Sequence, residues 1–207
     1  MSGDGIANLI KLIHLDLSGN HFSGSIPPII FNLRYLQILY VDYNSLNGIP
    51  NEIGNKTELQ TLSFKHNFFG KIPSSILNLK RLETLNLSYN SLSMEMPTDI
   101  GNLSNIIILN FRNNELTGII PSSIWKLPKL ETLDLENNLF IGEIPSWLFN
   151  MTGLRSLHLG GNHLIWNTKA KIVPEFTLSD LSMRSCGLAR RIPFWISMLR
   201  NLFLFWT

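Results

Sequence analysis

Large apolar residues recur along this chain in one fixed order. Between Leu103 and Pro121 they fall at Leu103, Ile106, Leu109, Phe111, Leu116 and Ile120, with Asn114 and Gly118 at set places among them. The order returns at Leu127, Leu130, Leu133, Leu135, Asn138, Phe140, Gly142, Ile144 and Pro145. It opens the chain at Leu9, Leu12, Leu15, Leu17, Asn20, Phe22, Gly24, Ile26 and Pro27. Units begin near residues 9, 33, 56, 79, 103, 127, 151 and 175, a period of about 24. Repetition at that length predicts a stack of equivalent coils, each burying its apolar face against its neighbours.

Each slot in the unit has a physical reading. The alternation of Leu15 with Leu17, or of Leu133 with Leu135, is the two-residue period of a strand with one buried face. Such a short strand is unstable alone, so it pairs in parallel with the strand of the next coil. Asn20, Asn44, Asn67, Asn90, Asn114, Asn138 and Asn162 follow the strands, where the chain turns inward. An amide there donates to and accepts from backbone groups that would otherwise be buried without partners. Cys186 holds the same inward-facing slot in the eighth unit, as a small thiol that buries easily. Further on, glycine permits a tight backbone course and proline fixes φ without needing a donor. The Pro-x-x-Ile-x-x-Leu that follows, as in Pro121, Ile124 and Leu127, predicts a short helical turn on the outer side. The expected fold is therefore α/β: a right-handed solenoid with a parallel inner sheet and short helical or 3₁₀ segments on the outer face.

Composition narrows the function. Of 207 residues, 15% are charged and the formal net charge is +2, which removes the electrostatic case for nucleic acid or an anionic membrane surface. Leucine supplies roughly a sixth of the chain and asparagine about a tenth, which are the two structural slots of the coil. One cysteine excludes an internal disulfide framework and any cysteine-based zinc site. The five histidines, His14, His21, His66, His158 and His163, show no metal-ligand spacing, so neither a metal nor a cofactor is expected. There is no G-x-S-x-G, no phosphate loop and no set of kinase motifs, so no catalytic residue is expected. The N-terminus lacks a basic leader, and no stretch approaches the ~18 uninterrupted apolar residues of a spanning helix. The expectation for this chain is neither signal peptide nor transmembrane helix, and no direct membrane contact.

The residues after the asparagine carry a family likeness. Phe22-Ser23-Gly24-Ser25-Ile26-Pro27 and Leu116 to Pro121 resemble the plant-specific class of leucine-rich repeat. Ile144 to Asn150, Leu181 to Leu188 and Ile192 to Ile196 resemble the ectodomain of plant receptor-like proteins. That resemblance implies a non-catalytic recognition module on the extracellular side of the plasma membrane, in a parent that is a glycoprotein. It implies a peptide, glycan or partner ectodomain as ligand, a kinase co-receptor, and a role in defence or development. A stand-alone secreted protein, such as an inhibitor of cell-wall-degrading enzymes, uses the same repeat class. The family's paired-cysteine caps are missing here, so the chain is expected to be a fragment. Residues 1–8 read as a short lead-in, 9–198 as eight repeats and 199–207 as a truncated ninth. Met94 and Met96 stand where the fourth unit should have Gly and Ile, and Trp166 to Lys171 replace Gly-x-Ile-Pro in the seventh.

Residues between the strand leucines point out of the inner face, which would be about 34 Å long for eight strands. An extended peptide of roughly ten residues fits along it. Tyrosines beside charges suit a recognition surface, because aromatic rings give contact area at low entropic cost. The candidate ligand-binding residues are Tyr40, Asp42, Tyr43, Lys65, His66, Tyr89, Arg112 and Asp134. Asp134 and Glu136, on one strand, read as a solvated pair or a cation contact. Four N-x-[ST] sequons begin at Asn55, Asn86, Asn102 and Asn150. Asn86 falls on the inner face, where a glycan would obstruct the strip; the other three fall at the outer end of a coil.

Overall fold

The computed structural model describes residues 8–67, 70–165 and 178–186, together with the backbone of 203–204. The strands are three residues long: His14–Asp16, Ile38–Tyr40, Thr61–Ser63, Thr84–Asn86, Ile108–Asn110, Thr132–Asp134, Ser156–His158 and Asp180–Ser182. They lie side by side in chain order, all parallel, with Phe203–Leu204 at the far edge. One leucine from each coil stands in direct register, from Leu15 through Leu39, Leu62, Leu85, Leu109, Leu133 and Leu157 to Leu181. Those from Leu39 to Leu157 are completely buried. At roughly 1.5–3 kcal/mol for each buried leucine, this column is a principal source of cohesion. The α/β solenoid expected from the repeat is the one observed.

The asparagine slot works as the repeat suggests. Asn44 donates to Leu17 O and Val41 O and accepts from Phe22 N. Asn67, Asn114, Asn138 and Asn162 repeat the pattern, each giving its NH₂ to its own coil and the previous one. Their carbonyl oxygens accept from Leu46 N, Leu92 N, Leu116 N and Phe140 N of the previous coil. Cys186 keeps half of this: its thiol donates to Leu159 O at 3.1 Å, and burial raises its pKa.

The outer turns are 3₁₀ helices: Pro28–Asn32, Asn51–Asn55, Ser74–Asn78, Ile100–Asn102, Ser122–Lys126 and Ser146–Asn150. A 3₁₀ helix has three residues per turn, so side chains at i and i+3 eclipse. The spacing Pro27, Ile30, Leu33, Leu36 puts these four residues on one row, with Phe31 buried beside it, and the bonds Ile30 N to Pro27 O, Leu33 N to Ile30 O and Leu36 N to Leu33 O follow it. One row has a polar member. Lys56 stands where Leu33, Leu79, Leu103, Leu127 and Met151 stand in other coils, is only 4% exposed, and donates to Leu33 O. Burial lowers its pKa, with Glu58 opposing.

Two features go beyond the expectation. The stretch after the asparagine also pairs between coils, as Ser23–Ser25 with Ser45–Gly48 and Ile141–Glu143 with His163–Ile165. Gly24 and Gly142 take φ of 76° and 88° there, which explains glycine in that slot. In the fourth unit Met96 fills the buried isoleucine position, Met94 is exposed, and the pairing shrinks to one bridge, Glu95 with Thr117. The stretch Trp166 to Lys171 lies outside the described residues, as do nearly all of 1–8 and 199–207.

Candidate recognition surface

The residue just before each asparagine adopts a left-handed backbone. Gly19, Tyr43, His66, Tyr89, Asn113, Asn137, Gly161 and Ser185 have φ between 52° and 68°. This conformation turns the chain inward from the strand and aims the following asparagine at the core. Glycine takes it freely and asparagine tolerates it, whereas tyrosine and histidine are strained by about 1–2 kcal/mol each. Their presence therefore needs an offsetting interaction. Asn113 and Asn137 bond to each other at 2.6 Å, and a Cβ on Gly161 would come 2.1 Å from Asn137 Oδ1.

The three bulky residues stack. The ring of His66 lies between Tyr43 and Tyr89, with centroids 4.6 and 4.2 Å away and interplanar angles of 16° and 14°. Lys65 Nζ sits 5.4 Å from the Tyr43 ring centroid and 5.5 Å from that of Tyr89, within cation–π range. Burial and the Lys65 charge hold the His66 pKa below its ordinary 6.5, with Asp42 opposing, so a neutral ring occupies the middle of the stack at pH 7. Asp42 braces the base by accepting from Ser63 Oγ at 2.6 Å and from Lys65 N at 2.7 Å. Tyr43, at the end nearest Gly19, is 52% exposed. Aromatic stacking contributes ~0.5–1.5 kcal/mol per pair, so the two pairs offset part of the backbone strain, with the Lys65 cation–π contacts adding to them.

Beyond Tyr89 the surface changes from aromatic to ionic. Arg112 and Arg184 both engage Glu136, which is only 2% exposed. Arg112 also lies 4.0 Å from Asp134, which is 6% exposed. His158 bridges Asp134, 3.6 Å from Nδ1, and Asp180, 2.8 Å from Nε2. Hydrogen bonding to Asp134 first, opposed by burial and helped by Asp180, raises the His158 pKa to about 9. Three carboxylates are thus matched by two guanidiniums and an imidazolium. Asp134, Glu136 and His158 offer ligand atoms within 4.8 Å of one another, but cationic side chains of this chain already engage both carboxylates.

The structure brings Tyr43, Lys65, His66 and Tyr89 into one column with Asp42 beneath it. Arg112 and Asp134 belong to the ionic cluster, and Tyr40 lies apart, edge-on to His14 at 5.6 Å. Asp134 and Glu136 are buried under Arg112, Arg184 and His158 and so do not form a solvated pair. Glu136, His158, Asp180 and Arg184 belong to the cluster although single positions did not mark them as site residues. The available signal was opposite charge one or two repeats apart, as in Arg112 with Glu136 and His158 with Asp180. Asn55, Asn102 and Asn150 are exposed at the ends of 3₁₀ turns. Asn86 is on the inner sheet, and its Oδ1 accepts from Ser88 N and Oγ.

The leucine-rich-repeat profiles match residues 11–33, 34–92 and 97–140, more than half of the chain. The chain belongs to the leucine-rich-repeat family. It is similar to Receptor-like protein 46 of Arabidopsis thaliana, 49% identical over 37 residues, which are 18% of this chain and 5% of that protein. Two solved structures share the fold along nearly the whole chain. A TDR receptor superposes with a TM-score of 0.85 at 32% identity, over 96% of this chain and 35% of its own. The Arabidopsis receptor kinase HAESA, in complex with the peptide hormone IDA and the co-receptor SERK1, gives 0.74 at 38% identity, over 91% and 33%. This chain therefore spans about a third of those two chains and a small part of the receptor-like protein. A leucine-rich-repeat ectodomain fold of this kind is a non-catalytic recognition scaffold. Among the described residues no helix is long and apolar enough to cross a membrane.

Proposed function

We propose that this chain is part of the ligand-recognising ectodomain of a plant cell-surface receptor-like protein, and that it takes an extended peptide along its inner face. The observation that carries this reading is the column Tyr43–His66–Tyr89 with Lys65 across it. Three adjacent coils place bulky rings at left-handed positions where glycine or asparagine would be less strained. The rings are rigid, amphipathic and pre-stacked, so a ligand meets contact area whose ordering is already complete. Asp42 underlies the column, Arg112 stands beyond its Tyr89 end with Asp134 buried behind it, and Tyr40 offers a separate aromatic contact beside His14. Similarity to a receptor kinase solved with a peptide hormone and a co-receptor supports the same class of ligand, and a kinase co-receptor, for the parent of this chain. Defence or developmental signalling is the corresponding role. Asn55, Asn102 and Asn150 are the glycosylation sites in this reading. The partly buried Asn86, with Ser88 buried beside it, is the poorer acceptor.

The test is selection from a displayed library of random peptides of about ten residues, using the full chain as bait. Enrichment of binders that protect Tyr43 and Tyr89 from modification supports the reading. Binders that leave both tyrosines reactive contradict it.

A further inference from the structure

The outer surface carries an aromatic cleft that peptide recognition on the inner face leaves unused. Trp125, in the 3₁₀ turn Ser122–Lys126, is 60% exposed. With Trp147 of the next turn it borders a cleft of about 230 Å³, walled further by Leu127, Pro128, Leu130 and Met151. The fold does not require an open ring here, since Phe149, the residue one repeat after Trp125, is completely buried. The remaining wall is Asn150, Thr152 and Gly153. The acceptor asparagine of the sequon Asn150-Met151-Thr152 therefore stands on the edge of an aromatic cleft, and Asn150 and Thr152 are both exposed.

We propose that the cleft between Trp125 and Trp147 seats the first N-acetylglucosamine of a glycan carried on Asn150. This rests on the reading of Asn150 as glycosylated. A pyranose ring has an apolar C–H face that suits the electron-rich face of an indole, while its hydroxyls remain in water. The acetyl methyl adds an apolar group for Met151 and Pro128. Attachment to Asn150 Nδ2 holds the sugar at the cleft, so a contact too weak to capture free sugar is populated intramolecularly. Of the three exposed acceptor asparagines, Asn150 is the one that lines this cleft. The glycan then lies along the outer side of two coils and leaves the Tyr43–Tyr89 column open.

The test uses the full chain, secreted behind an added leader from cells that attach N-glycans. Glycopeptide mass spectrometry gives the occupancy of Asn150. Hydroxyl-radical footprinting then gives the oxidation rate of Trp125 in three forms: intact glycan, glycan trimmed to one N-acetylglucosamine, and glycan removed. The expected result is several-fold slower oxidation of Trp125 in the first two forms than in the third, with Asn150→Gln behaving like the third. Equal rates in all forms at an occupied Asn150 would overturn the packing while leaving glycosylation intact. An unoccupied Asn150 would overturn the glycosylation reading and the packing with it.

Discussion

Asn114 donates to Leu87 O and Phe111 O and accepts from Leu92 N, so one amide joins two coils through three buried bonds. Replacing it with leucine leaves those backbone groups without partners in a dry environment. Asn114→Leu is expected to lower unfolding free energy by roughly 1–3 kcal/mol, read by urea denaturation. An unchanged midpoint would mean that the amide ladder does not hold the coils together. His158 makes a prediction with a pH sign. Its folded pKa, about 9, lies above the ordinary 6.5, so the protonated form is stabilised in the fold by Asp134 and Asp180. That stabilisation is complete below pH 6.5 and is lost as pH rises through 9. After allowance for partial solvent exposure it should amount to about 2 kcal/mol. His158→Gln should remove this loss between pH 6.5 and 9, and denaturation of parent and variant at both pH values checks it. The asparagine slot was legible in the sequence because it recurs. The burial of Glu136 was not, because its arginines come from one coil before and two coils after. Only the stacking register shows that they meet.

Among the elements, the 3₁₀ turn was legible from its period of three, and the strand from its period of two. The second line of pairing, through Ser23–Ser25 or Ile141–Glu143, was hidden for a physical reason. These segments have no alternating apolar face, and they depend on positive φ at glycine and on the neighbouring coil. The left-handed position was equally hidden, since tyrosine and histidine do not announce it as glycine does. Lys56 is the element-scale anomaly, a cation in a row of leucines. Burial lowers its folded pKa, so the unfolded chain binds its proton more readily. The resulting destabilisation is present at neutral pH and relieved as pH rises toward 10.5. Lys56→Leu is therefore expected to stabilise the chain by about 1 kcal/mol at pH 7, with a smaller gain near pH 10. A loss of stability at pH 7 would show that the bond from Lys56 to Leu33 O outweighs the desolvation of the ammonium.

At the scale of the molecule, one coil repeated along an axis produces two surfaces of different kind. The inner sheet brings residues about 24 positions apart into columns, so a function carried by the face is distributed along the sequence. That is why Tyr43, His66 and Tyr89 form one stack across three repeats, while no short motif marks them. Such a column is also pre-organised by the same leucines and asparagines that hold the fold, so its rings do not have to be ordered when a ligand arrives. The stack compensates in part for the strain of rings at left-handed positions, and under the proposed function it makes the inner face the recognition surface. The most direct test is the affinity of a selected peptide for the parent, for Tyr43→Ala, for Tyr89→Ala and for the outer-face control Trp125→Ala, each confirmed folded by circular dichroism. A loss of about tenfold or more, ~1.4 kcal/mol, in each tyrosine variant with Trp125→Ala unchanged is the predicted result. Parent-like affinity in both tyrosine variants would contradict it.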